Sequence, residues 1–190
     1  MNPRRFYENT KGAPAMPSLL LALDHWMAAP AHAIDLGCGA GRDTLELLRR
    51  GWRVTAIDAE SLAFEYLNVL VPTDHQARLQ TQCTSFQDAE LAPAELINAS
   101  FSLPFCPPGE FAALWQLIEH ALKPGGLFAG HFFGERDSWA KDGLTIHTRS
   151  EVERLFQAWH VIDLQEIDRL GQTAVGNSKH WHLIAVVARR

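Results

Sequence analysis

The residues best suited to chemistry are two acids and three glycines: Asp35, then Gly37, Gly39 and Gly41, then Asp58. The run Ala33-Ile34-Asp35-Leu36-Gly37-Cys38-Gly39-Ala40-Gly41-Arg42 reads as a short buried strand entering a glycine-rich turn. Glycines at alternate positions let a ligand lie almost against the main chain, because no Cβ intervenes. Asp35, just before the turn, is badly placed for a phosphate and well placed for an amino group or a hydroxyl. Asp58 closes the next strand, about twenty residues beyond the turn, where a carboxylate in a βαβ unit holds a ribose diol. Together these features point to a nucleoside ligand without a pyrophosphate.

Other phosphate-binding patterns fit less well. A dinucleotide fingerprint needs G-x-G-x-x-G, whose last glycine permits close helix packing. Counted from Gly39 and Gly41 that position is Thr44, and counted from Gly37 and Gly39 it is Arg42. The G-K-[ST] of a P-loop is absent from this turn. A bare glycine turn without a ligand is the plain alternative, and an acid at position 58 weighs against it.

The segment from Ala33 to Asp58 resembles motifs I and II of the class I S-adenosylmethionine-dependent methyltransferases. Gly41-Arg42-Asp43-Thr44 and the ending Lys179-His180-Trp181-His182 are similar to small bacterial methyltransferases of the tellurite-resistance type. The resemblance implies S-adenosylmethionine as cofactor, with contacts at Asp35, Gly37, Gly39, Gly41, Arg42, Asp58, Asp88 and Asn98. Asp88 is assigned to the adenine amino group, with Gln87 close behind, and Asn98 to the methionine end. It further implies a Rossmann-like three-layer α/β sandwich with a seven-stranded, mostly parallel sheet whose last strand is antiparallel.

The elements that must position these residues follow from periodicity and punctuation. Residues 1–17 read as an irregular arm and Ser18 to Ala29 as a helix capped by Ser18. Strands are expected at His32 to Leu36, Trp52 to Ile57, Arg78 to Thr84, Glu95 to Ala99 and Leu127 to Phe133, with helices at Thr44 to Arg50 and Ser61 to Val69. Phe111 to Leu122 has helical spacing and is stopped by Lys123-Pro124-Gly125-Gly126. Ser150 and Glu153 form a capping box for the next helix. His160 to Ile167 and His180 to Ala188 then follow as successive strands, which implies an antiparallel final strand.

Composition sets the outer limits. A chain of 190 residues suits one domain spanning 1–190, with residues 1–30 as an arm and helix able to act as a lid. Acids outnumber bases, 22 to 17, for a formal charge of −5, and no basic run suits a nucleic acid backbone. The expected partner is a small-molecule substrate, not nucleic acid or membrane, and no oligomeric state is implied. The 3 cysteines form no C-x-x-C pair, as suits a reducing cytoplasm without a structural disulfide. The polar start is unlike a signal peptide, and no apolar run approaches the ~20 residues of a membrane span.

The acceptor side is less defined. His131 and His180 are the candidate bases, and His131, beside Phe132 and Phe133, also fits a core role. His180 and His182 share a strand face, but no third ligand declares itself, so no metal is expected. Topology places Trp139, Lys179, His180 and Trp181 near the functional edge, with the Asp168 to Ser178 hairpin above and Tyr7 as part of the lid. Without an evident base, the reaction class implied is methyl transfer to a soft nucleophile such as a thiol or chalcogen oxyanion. A cofactor-binding regulatory protein without turnover is the alternative. An NAD-dependent oxidoreductase is opposed by the missing third glycine.

Overall fold

The computed structural model describes residues 3–140 and 143–190. Parts of the sequence expectations for the arm (residues 1–2) and for the loop after the fifth strand (residues 141–142) lie outside the described residues. The chain begins with helices α1 (Pro3–Thr10) and α2 (Pro17–Asp24), then runs β1 (His32–Leu36), α3 (Arg42–Arg49), β2 (Arg53–Asp58), α4 (Ser61–Leu70) and β3 (Leu79–Cys83). It continues through β4 (Ala94–Ala99), α5 (Phe111–Ala121), β5 (Leu122–Phe133), α6 (Arg149–Leu155), β6 (His160–Gln172) and β7 (Ser178–Arg189).

The strands form one seven-stranded sheet in the order β3-β2-β1-β4-β5-β7-β6. β1, β2, β3, β4 and β5 pair in parallel, and β7 runs antiparallel between β5 and β6. This is the Rossmann-like topology anticipated above. Its cause is visible at the end of the chain, where two strands follow each other with only a tight turn between them, so the second must reverse.

Two apolar cores flank the sheet, as alternation along buried strands requires. On one face α5 and α6 pack Trp115, Ile118, Val152 and Phe156 against Ile34, Phe128, Phe132 and Ile184. On the other, α2, α3 and α4 pack Leu19, Leu47, Phe64 and Leu67 against Ala33, Val54, Ala129 and Val187. Successive residues such as Phe128 and Ala129 therefore serve opposite layers. Among the described residues, no helix is long and apolar enough to cross a membrane.

Several local expectations are corrected. The N-terminal arm is helical over Pro3–Thr10, because Tyr7 packs against α4 through the Tyr66 ring at 5.9 Å. Helix α2 starts one residue before Ser18: Met16 is the N-cap, Pro17 occupies the first turn, and no side chain caps it. The helix also stops at Asp24 and not at Ala29. The Lys123-Pro124-Gly125-Gly126 segment is not a free turn but an irregular start of β5, with a register shift between the Ala94 and Leu96 pairings. The capping box of α6 is Thr148 with Glu151, not Ser150 with Glu153. The sequence offers both frames, and the chain is held in the earlier one because Ile146 bridges Phe133 and His147 N donates to Phe133 O.

Candidate functional site

The chain leaves β1 for β2 and β3 on one side and returns to β4 on the other. The resulting crevice lies beyond the carboxyl ends of β1 and β4, where open α/β sheets bind ligands. A cavity of about 820 Å³ occupies this place. One end is formed by Asp35, the glycine turn and Asp58, and the other by Phe101, Phe105, Phe133, Trp139 and Trp181.

The glycine turn is folded by its own main chain. Gly37 N and Cys38 N both donate to Ile57 O (2.7 and 3.0 Å), tying the turn to the end of β2. Gly37, Gly39 and Gly41 all have positive φ (71°, 54° and 87°), the region side chains resist. Their surroundings differ. A Cβ on Gly41 would lie 2.3 Å from Leu67 Cδ1, and one on Gly37 2.3 Å from Ser102 Cβ, so both are packing glycines. A Cβ on Gly39 would meet only the Tyr7 ring, at 3.7 Å, across space open to a ligand. Gly41→Ala is therefore expected to cost about 2–4 kcal/mol of stability. Gly39→Ala is expected to cost only about 1 kcal/mol, yet to weaken ligand binding more than tenfold. Denaturant unfolding and calorimetric titration of both variants check this; a Gly39→Ala protein that binds normally contradicts it.

Asp58 sits at the lip of this turn. Its Oδ2 accepts from Gly39 N (2.8 Å) and its Oδ1 from Glu60 N (3.0 Å). Each oxygen keeps acceptor capacity, which is what a vicinal diol needs. Burial raises its pKa, opposed by these backbone donors.

Beneath the turn lies a buried polar network. Asp35 accepts from Thr44 Oγ1 (2.6 Å) and Asn98 Nδ2 (2.8 Å), and the same amide donates to Asp43 (3.0 Å). Asp43 also accepts from Met16 N (2.8 Å), which joins α2 to the site. Burial, reinforced by the neighbouring Asp43 carboxylate, pushes Asp35 up to about 7. Because the folded pKa lies above the unfolded value, Asp35 contributes its full stability below about pH 4, and this is lost as pH rises through about 7. The stability advantage of wild type over Asp35→Asn should accordingly shrink between about pH 4.5 and about pH 8 in urea unfolding. An advantage that grows with pH would contradict the raised value.

The remaining sequence candidates fall at different depths. Arg42 lines the cavity and its guanidinium donates twice to Pro14 O (3.0 and 2.5 Å), fixing the α1–α2 connection. Asn98 is fully buried, with its amide hydrogens on Asp35 and Asp43, and stands behind the cavity wall. Asp88 is exposed and accepts from Ser85 Oγ (2.8 Å), while Ser85, Phe86 and Gln87 reach the cavity.

His131 is buried beneath Phe101, stacked at 4.3 Å with its Nδ1 unpartnered. Burial, then the Arg42 charge, holds its pKa down to about 4, so the ring is neutral at pH 7. His180 lies on the opposite face of β7 from Trp181, its Nε2 2.5 Å from Asp168, and does not line the cavity. His182 accepts at Nδ1 from Arg136 N (3.0 Å), so its Nε2 carries the proton and donates to Glu166 (2.8 Å).

Three details of the site go beyond the sequence expectations. Phe101 has φ 57°, alone in positive φ among the described non-glycine residues, and presents its ring to the cavity. Helix α1 places Tyr7 over Gly39, and Asn9 Nδ2 donates to Ala174 O (2.8 Å), tying α1 to the β6–β7 turn. Lys179 and Asp137 form a buried ion pair behind the aromatic wall. The parity of β7 carried a usable signal for Lys179, which shares a face with Trp181, while His180 and His182 share the other.

Fold and site together define a doubly wound α/β protein whose crevice joins an acid-and-glycine end to an aromatic compartment. Residues 33–126 match the methyltransferase domain family. The chain is 33% identical over 112 residues to the carboxy-S-adenosyl-L-methionine synthase of Shewanella sp. (strain ANA-3), which covers 55% of this chain and 45% of that protein. It is 30% identical over 105 residues to the synthase of Citrifermentans bemidjiense, covering 52% and 43%. The chain thus spans less than half the length of these curated relatives. Among solved structures it is similar to TehB from Haemophilus influenzae, with TM-score 0.76 and 16% identity over 92% of this chain and 62% of that one. It is also similar to a Burkholderia thailandensis 1,6-didemethyltoxoflavin-N1-methyltransferase solved with S-adenosylhomocysteine, with TM-score 0.71 and 23% identity over 95% and 80%. The sheet order and glycine turn agree with this likeness: residues 33–126 match the methyltransferase domain family, and the chain has the fold of these solved structures.

Proposed function

We propose that this chain transfers a methyl group from S-adenosylmethionine to a small-molecule soft nucleophile, a thiol or a chalcogen oxyanion. The observation that carries this reading is a cavity joining the acid-and-glycine end to an aromatic compartment whose described lining residues include no titratable side chain. S-adenosylmethionine supplies a sulfonium-activated methyl group when bound. The chain's residues fit its parts. Asp58 accepts from the ribose hydroxyls, Gly39 admits the ligand against the main chain, and Asp35 takes the amino group. Phe86 and Gln87 flank the base. Asn98, Thr44 and Asp88 act from behind, holding Asp35 and the Ser85 loop in place.

Catalysis then rests on alignment and exclusion of water. Phe101, Phe105 and Trp181 orient the acceptor, and α1 with Tyr7 covers the other end. His131 is neutral and buried under Phe101. His180 is held by Asp168 outside the cavity. An acceptor that is already nucleophilic therefore suits this site better than one that must lose a proton to the protein. The acidic balance of the chain supports a small acceptor over a nucleic acid, and a cytoplasmic setting keeps both cysteines and thiol acceptors reduced.

The test is formation of S-adenosylhomocysteine from S-adenosylmethionine with a panel of small thiols, selenite and tellurite, followed by mass spectrometry. Product that requires both protein and a thiol or chalcogen acceptor supports the reading. Tight cofactor binding with no product across the panel contradicts it and favours a cofactor-binding regulatory protein.

A further inference from the structure

The aromatic end of the cavity is backed by a cation belonging to the chain itself. Lys179 Nζ lies over three rings, 4.7 Å from the centroid of Phe133, 4.1 Å from Trp139 and 4.3 Å from Trp181. All three rings line the cavity. The ammonium is 1% exposed and pairs with Asp137, whose side chain is fully buried. Asp137 is itself held by the main chain: Trp139 N donates to its Oδ1 (2.9 Å) and His182 N to its Oδ2 (3.1 Å). The pair is thus locked between β7 and the loop after β5, and Trp139 is locked with it.

Cages of this kind recognise ligand ammonium groups when their ring faces are open, with the cation within about 6 Å of each centroid. Here one face of each of the three rings already holds a cation, Lys179 Nζ. Among the described residues, the carboxylates that line the cavity, Asp35, Asp43, Asp58 and Glu60, all lie at the glycine-turn end, and none lines the aromatic end. A cationic acceptor would lose its water there beside a buried ammonium, with no counterion among the described lining residues. A flat uncharged or anionic acceptor would instead stack on Phe101 and meet the positive edges of the neighbouring rings, which stand edge-on or tilted to one another.

We infer that Lys179, clamped by Asp137 inside the ring cluster, is a specificity-determining residue that makes the acceptor compartment select flat aromatic compounds that are uncharged or anionic, and reject ammonium compounds. This rests on the proposed function for the identity of the compartment, and it narrows the proposed soft nucleophile to an aromatic thiol or selenol in place of a chalcogen oxyanion.

The test uses three ligands on one ring system: 2-naphthol, 2-naphthoate and 2-naphthyltrimethylammonium. Each is titrated into the full chain with and without S-adenosylhomocysteine. Wild type should bind 2-naphthol or 2-naphthoate at least tenfold more tightly than the trimethylammonium compound. In the double variant Lys179→Met/Asp137→Asn, which removes both charges together, that ratio should fall below threefold. A purely structural role would weaken all three ligands alike and leave the ratio unmoved, and an unmoved ratio overturns the inference. Equal binding of the cationic ligand by wild type overturns it as well. The ratio is also read without cofactor, so failure of S-adenosylhomocysteine to bind would count against the proposed function alone.

Discussion

Asp58→Ala is expected to lower the affinity for S-adenosylhomocysteine about 100-fold, close to 2.7 kcal/mol, in a calorimetric titration. Two charge-assisted hydrogen bonds from a ribose diol, at about 1.5–3 kcal/mol each, are enough to account for it. A second contribution comes from the turn, because Oδ2 also holds Gly39 N at 2.8 Å, where the ligand approaches the main chain most closely. Asp58→Asn separates the two. Its amide replaces one acceptor oxygen by an NH2 donor and carries no charge, so either a turn N–H or the diol loses its acceptor, and an intermediate loss of about tenfold is expected. A decrease below threefold for the alanine variant would show that Asp58 does not hold the ligand.

Removing one partner of the buried Lys179–Asp137 pair has the largest expected effect on stability. Lys179→Met leaves a carboxylate in the interior with only two backbone donors, and costs of about 3–5 kcal/mol are typical for an uncompensated buried charge. Asp137→Asn leaves the ammonium among the rings, where burial already lowers its pKa against the opposing effect of Asp137. The double variant Lys179→Met/Asp137→Asn should recover at least half of the single-variant loss, because no isolated charge remains. Urea unfolding with an unchanged m-value is the measurement. Additive losses in the double variant would mean that the two groups are not energetically paired.

The parts of the site legible in the sequence are those in which a ligand dictates local residue types. Asp35, the alternate glycines and Asp58 sit within one βαβ unit, so their spacing along the chain is their spacing in space. The reversed β7 was legible for a similar reason, since two strands in direct succession allow few topologies. Features made by distant segments were not legible. Lys179 and Asp137 are 42 positions apart, and their pairing depends on how β7 meets the loop after β5. Helix α1 is short, and helices of this length are marginal without tertiary support; here Tyr66 and the turn at Ala174 supply it. Asp88 and Gln87 show the limit of reading a loop by residue type. The acid looked more suitable for an amino group, yet the loop turns it outward to Ser85 and brings Gln87 to the cavity.

The cavity at the β1–β4 crevice is the proposed cofactor site. Its most direct test is calorimetric titration of the wild-type chain with S-adenosylhomocysteine. The account predicts saturable binding at one site per chain with a micromolar or tighter dissociation constant. Absence of binding by a folded wild-type protein would contradict it, leaving the glycine turn and Asp58 to serve some other ligand.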